Sequence, residues 1–206
     1  MKLVVGLGNP GPEYAWSRHN AGWLLVDFFV ARVNPTEPRM NFGGAFWPAS
    51  IQGGERVAFL KPFTYMNLSG KSVAEAAAYF SVAPADILIV LDDAAIPFGS
   101  LRYRASGSAG GQKGLVSIIA SLGTLDVPRF RVGIGSPDSR VDMKDWVLGK
   151  FPKTQRDEWR LIEALAWGGF ERWISGSAGD GFTVRIDERK DGVKDSVKDA
   201  KNDRDE

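Results

Sequence analysis

The chain contains no cysteine and a single histidine among its 206 residues. Without thiols there are no disulfides, zinc–thiolate sites or thiol nucleophiles. One imidazole cannot build a multi-histidine metal cage either. No apolar run approaches the roughly 20 residues that a membrane span needs. The opening Met1-Lys2 leads straight into the short run Leu3–Gly6 rather than into the charged and apolar regions of a secretory leader. The expectation is a cytoplasmic protein. Charge of either sign is also scarce in the sum, because 26 Lys/Arg against 25 Asp/Glu leave a formal +1. That sum joins two unlike parts. Residues 187–206 hold six Lys/Arg and eight Asp/Glu, and the first 186 hold 20 and 17. A slight basic excess serves polyanion binding only if folding gathers it on one face.

What is present suits one globular domain. The length fits a unit that buries a core without staples, and 44% hydrophobic with 25% charged residues is ordinary globular composition. Lys2–Leu7 and Ile87–Leu91 read as buried strands, and Leu101–Arg104 and Phe130–Ile134 as further strands. Ala45–Ile51 and Val57–Lys61 flank Gly53-Gly54 as a hairpin. Helices are expected over Ala21–Val33, ending near Asn34-Pro35, over Ser69–Phe80 with Ser69 as N-cap, and over Gly114–Leu122. Trp159, Ile162, Ala166, Phe170 and Trp173 mark Thr154–Ile174 as one amphipathic helix. Residues 1–186 are therefore read as one α/β domain, a three-layer α/β/α sandwich around a single mixed, mostly parallel sheet. Residues 187–206, almost wholly polar, are read as a charged, disordered tail.

Two glycine motifs invite nucleotide readings. Gly6-Leu7-Gly8-Asn9-Pro10-Gly11 follows a strand and matches the dinucleotide pattern G-x-G-x-x-G. Pro10 and Pro12 crowd the loop, however, and no strand ending in an acid follows at the expected distance. A tight strand-to-loop turn that brings the Asn9 amide to a surface pocket is the plainer reading. Ser69-Gly70-Lys71-Ser72 ends like a phosphate-binding loop, but Tyr65 stands where that pattern demands glycine. No G-x-S-x-G elbow is present.

His19, between Arg18 and Asn20, is the candidate base. Asp92 follows a buried strand, and Asn9 leaves another strand end. Open α/β sheets build their sites at such carboxyl ends. An imidazole, a carboxylate to fix its tautomer and amide donors for an oxyanion are the parts of an acyl-transfer site. With no cysteine and no serine elbow, water is the expected nucleophile.

The blocks Gly6–Tyr14 with Arg18-His19-Asn20-Ala21-Gly22, Lys61–Gly70, Asp92–Gly99, Gly110–Leu115, Arg129–Gly135 and Trp146–Lys150 resemble, in order and spacing, those of bacterial peptidyl-tRNA hydrolases over about residues 1–175. The resemblance implies an enzyme that cleaves the ester joining a peptide to the 3′ ribose of tRNA, monomeric, with no cofactor and no metal. It places the catalytic pair on His19 and Asp92. Substrate contacts fall on Asn9, Tyr14, Tyr65, Met66, Asn67 and Lys113, and contacts to the tRNA acceptor-stem phosphate on Arg104 and Arg131. Two departures stand out. Gln112-Lys113 replaces the histidine-asparagine that the family often carries, and Ala95 replaces the second acid of an Asp-x-x-Asp-x-Pro block. The stretch Gly181–Arg189 also fits the family poorly. A non-catalytic RNA-binding protein on the same fold and a nicotinamide oxidoreductase remain the competing readings.

Overall fold

A computed structural model describes residues 1–33, 36–186 and, as backbone, 193–196. Its framework is one sheet built from strands β1 (Lys2–Gly6), β2 (Arg39–Asn41), β3 (Gly44–Gln52), β4 (Glu55–Pro62), β5 (Ile87–Asp93), β6 (Ser100–Arg104), β7 (Arg129–Gly133), β8 (Gly181–Ile186) and β9 (Val193–Ser196). The order across the sheet is β2-β3-β4-β1-β5-β7-β6-β8-β9. β4, β1, β5 and β7 run parallel at its centre. Antiparallel strands extend it on both flanks. Parallel pairing thus forms the middle of this mixed sheet rather than most of it. The reason is local. Short glycine turns such as Gly53-Gly54 close hairpins, and hairpins are antiparallel.

Among the described residues, six helices connect and cover the strands: α1 (Ala21–Val33), α2 (Ser69–Phe80), α3 (Lys113–Leu122), α4 (Met143–Leu148), α5 (Lys153–Asp157) and α6 (Trp159–Ile174). Strands covered on both faces read as continuous apolar runs, which is why Ile87–Leu91 shows no alternation. Val4, Leu88 and Val90 face one core with α1 and α6, where Phe29 and Phe170 stack at 4.8 Å. Leu3, Val5, Ile89 and Leu91 face a second core with α2 and α3. Each such side chain, fully buried, contributes about 1.5–3 kcal/mol.

Several expectations are corrected in detail. Thr154–Ile174 is not one helix, because the chain turns at Glu158 to bury Trp159 against Phe151 and Trp16. Ser69 is the first residue of α2 rather than its cap, and its hydroxyl donates to the Met66 carbonyl at 3.0 Å. β2, α4 and β8 were not expected. Of the segment read as a disordered tail, Val193–Ser196 pairs with β8, while its other residues, like Asn34-Pro35, lie outside the described residues.

The glycine motifs serve packing. A Cβ on Gly6 would lie 2.6 Å from the Gly22 carbonyl oxygen, and one on Gly8 would lie 2.6 Å from the Trp23 ring. A Cβ on Gly22 would overlap the Val90 carbonyl and sit 2.6 Å from the Leu7 nitrogen. The loop that resembles a pyrophosphate cradle is therefore filled by the start of α1. Gly70 likewise admits the Ser117 backbone, so α2 can press on α3.

Candidate active site

Close approach of α1 to the sheet decides what its first turn carries. The 3₁₀ turn Arg18–Asn20 precedes α1 directly and lies over the carboxyl end of β5. His19 Nδ1 is there 2.9 Å from both carboxylate oxygens of Asp92. The His19 and Asp92 side chains are only 15% and 4% exposed, so the pair is screened from water while the imidazole still reaches a cleft. A carboxylate only accepts hydrogen bonds. Nδ1 therefore donates to Asp92, and Nε2 keeps its lone pair.

The cleft encloses about 940 Å³ and lies at the carboxyl ends of the parallel strands. Asn9 lines it from the end of β1. Its backbone is gripped by Asn20, whose Oδ1 accepts from the Asn9 N–H at 2.8 Å and whose Nδ2 donates to the Asn9 carbonyl at 3.0 Å. Tyr65, Met66 and Asn67 enter from the turn after β4, with Tyr65 and Asn67 exposed and Met66 buried. Lys113 lines the cleft from the first turn of α3. Met143, Lys144, Val147 and Leu148 supply the opposite wall from α4. That wall is fastened to the residue next to His19. The buried Arg18 guanidinium lies 3.6 Å from the Trp146 ring centroid and donates to the Trp146 carbonyl at 3.2 Å. Burial pulls the Arg18 pKa below its ordinary value.

The glycine loop beside the cleft is held by two arginines. Arg129, almost wholly buried, donates to the carbonyls of Val127 at 2.7 Å, Gly107 at 2.6 Å and Leu125 at 3.1 Å. Burial, reinforced by neighbouring Arg131, lowers its pKa to about 10. Arg131 lines the cleft, yet its guanidinium is already committed. It donates to Asp93 at 3.0 Å and to the Ser108 carbonyl at 2.9 Å.

The structure thus gathers His19, Asp92, Asn9, Tyr65, Met66, Asn67, Lys113 and Arg131 around one cleft. Tyr14, in the turn Pro12–Tyr14, and Arg104, at the end of β6, are not among its lining residues. Arg104 Nη1 donates to the Tyr103 carbonyl at 3.0 Å. Ala95 lines the cleft without charge, its N–H donating to Asp93 at 2.8 Å. Two contributors went unread in the sequence, Asn20 and Gln112. Gln112 Nε2 lies 3.4 Å from Asp92 Oδ1. The signal for Asn20 was its place beside His19. That for Gln112 was its place just ahead of a helix, where side-chain oxygens cap. Among the described residues, no group of three or more His, Cys, Asp or Glu side chains forms a metal-ligand cluster. No described helix is long and apolar enough to cross a membrane.

The family model for peptidyl-tRNA hydrolase matches residues 3–184. The peptidyl-tRNA hydrolase of Symbiobacterium thermophilum is 51% identical over 154 residues, which covers 73% of this chain and 80% of that protein. That of Desulfitobacterium hafniense is 48% identical over 155 residues, covering 75% and 83%. The crystal structure of peptidyl-tRNA hydrolase from Acinetobacter baumannii superposes with a TM-score of 0.79 at 34% identity, over 85% of this chain and 89% of that one.

Proposed function

The chain belongs to the peptidyl-tRNA hydrolase family, and from that premise we propose that it hydrolyses the ester between a peptide and the 3′ end of tRNA. The observation that carries this reading is the His19–Asp92 pair, secluded at the strand ends and opening onto a cleft with two asparagine amides. Nε2 of His19 takes a proton from water as the water attacks the ester carbonyl. Such general-base help is worth roughly 10²–10⁴-fold. Asp92 fixes the tautomer and stabilises the imidazolium that forms. Asn9 and Asn67 place the peptide end and donate to the developing oxyanion, where a single well-aimed donor supplies about 10²–10³-fold. The alkoxide of the ribose leaves with a proton returned from His19. An ester yields to this set without a covalent nucleophile. The intact pair and the named relatives leave nothing that favours the non-catalytic RNA-binding alternative, and the packing of α1 fills the loop that a nicotinamide cofactor would need.

The decisive test is release of deacylated tRNA from an N-blocked aminoacyl-tRNA, compared between wild type and His19→Ala. Hydrolysis is also expected to fall on acidification, because a protonated imidazole is no longer a base. A flat profile across the range in which imidazoles titrate would remove His19 from that role.

On the RNA side, Arg104 and Arg131 are proposed to meet acceptor-stem phosphate. Arg131 must do so while bound to Asp93, so its neutralisation would also strand an acid. Arg104→Gln tests the other contact. It is expected to weaken tRNA binding and to reduce the steepness of log K against log salt by about one. Unchanged affinity and slope at low salt would exclude the contact. Lys113 and Lys144 line the cleft without an ion-pair partner among the described residues and supply further positive field toward RNA.

A further inference from the structure

Asp92 is a buried carboxylate, and its orientation decides which way His19 faces. Its own support is therefore a functional matter. Beyond His19, the described side chain that donates to Asp92 is Gln112, whose Nε2 lies 3.4 Å from Oδ1. Gln112 is also the N-cap of α3, where its Oε1 accepts from the Leu115 N–H at 2.8 Å. That bond settles how the amide is turned. A backbone N–H only donates, so the carbonyl oxygen faces α3 and the NH2 faces the site. The same NH2 lies 3.6 Å from the Met66 sulfur, beside Asn67.

We propose that Gln112 is a positioning residue of the hydrolytic site, its amide anchored on the α3 cap and holding the Asp92 carboxylate in the orientation that keeps His19 Nδ1 protonated and Nε2 free. It acts through Asp92 and touches no reacting atom. A neutral donor suits this place. It lends a hydrogen bond to a desolvated carboxylate without a charge that would compete with the imidazolium. The cap gives the amide a fixed base, and Met66 closes its other side. A glutamine meets all three demands at once, because it carries an acceptor and a donor on one planar group. The proposal rests on the hydrolase reading for its consequence in rate, but not for its geometry.

Two variants separate positioning from capping. Gln112→Asn keeps a good N-cap and withdraws the amide from Asp92 by one methylene. Gln112→Glu keeps an acceptor for Leu115 and replaces the donor with an acid beside Asp92. Gln112→Asn is expected to retain the wild-type Tm, and Gln112→Glu to lower it somewhat, because two carboxylates then face each other. With N-blocked aminoacyl-tRNA, Gln112→Asn is expected to lower kcat by about tenfold with KM little changed, as for a lost orienting hydrogen bond. Gln112→Glu is expected to move the acid limb of the kcat profile to higher pH, because added negative charge favours the imidazolium. The other charged groups around the imidazole are Asp92 and Asp93 on β5, Arg131 on β7, Lys113 on α3, Lys144 on α4 and Arg18 in its own turn. All are common to both proteins and cancel in the comparison.

His19 is the only histidine, so its ring nitrogens give unambiguous NMR signals without substrate. The Glu variant is expected to raise their titration midpoint, and the Asn variant to reduce the Nδ1–H population. Unchanged kcat, pH profile and ring signals in both variants would overturn the proposal and leave Gln112 a cap alone. Should wild type fail to release tRNA, the hydrolase reading falls, and the ring signals still decide whether Gln112 holds the pair.

Discussion

His19→Ala is expected to lower the single-turnover rate of ester cleavage by about 10²–10⁴-fold, the range of general-base catalysis, while tRNA affinity stays near that of wild type. The two outcomes follow from where the residue sits. Its imidazole is proposed as the base, whereas phosphate contacts are proposed for Arg104 and Arg131. Truncation removes one half of a buried pair, but the Asp92 carboxylate keeps the Gln112 amide as donor. Some loss of stability is expected, without loss of fold. Asp92→Asn should be nearly as damaging for a different reason. An amide placed there can offer N–H to Nδ1, which selects the other tautomer and consumes the lone pair needed at Nε2. Filter binding and release of deacylated tRNA measure the two properties separately. Near-normal turnover in His19→Ala would refute the mechanism, and a parallel loss of binding would mean that the residue also holds substrate.

How much of this was legible in the sequence depended on the range over which each signal acts. α1 was readable to its exact ends, because Ala21–Val33 is a long apolar stretch. The central strands were readable because burial on both faces leaves an unbroken run at Ile87–Leu91. Short elements were not. α4 is six residues long, too few to show a period, and tertiary contacts such as the stack of Arg18 on Trp146 and the Trp146 indole N–H donating to the Gly135 carbonyl hold it in place. β8 does alternate, with Phe182 and Val184 inside, but the polar stretch that follows hid it. The turn at Glu158 comes from the packing of Trp159 against Phe151 and Trp16, partners that lie in other segments.

The site followed the same rule. His19 and Asp92 stood out because each chemical type was rare or placed at a strand end. The commitment of Arg131 to Asp93 is a contact between neighbouring strands, set by the register that pairs Leu91 with Arg131 and Asp93 with Gly133. Nothing local announces it. Of the pair Gln112-Lys113, the charge drew attention to Lys113, whereas the structure gives Gln112 the contact with the Asp92 carboxylate.

Gly22→Ala is the substitution expected to show most directly that packing makes the site. The added methyl would overlap the Val90 carbonyl and crowd the Leu7 backbone, groups that cannot swing aside as a side chain could. Leu7 N–H already donates to that same carbonyl at 2.9 Å, so the β1–β5 junction is fixed. α1 must therefore move outward, and the turn that carries His19 moves with it. Overpacking of a closed interior costs about 1–3 kcal/mol, and a domain of this size then loses roughly 2–12 °C in Tm. The larger effect should be on rate. A displacement on the order of 1 Å at a catalytic group can cost about 100-fold, and here it would open the 2.9 Å contact with Asp92. Gly168→Ala is the matched control. It lies in α6, its Cβ would meet nothing within 4 Å, and its side is exposed. That change is expected to raise stability by about 0.5–1 kcal/mol, because alanine loses less freedom than glycine on entering a helix, and to leave hydrolysis unaltered. Thermal unfolding and tRNA release on both variants test the argument. If Gly22→Ala kept wild-type Tm and rate, the close seating of α1 on the sheet would not be what brings His19 to Asp92.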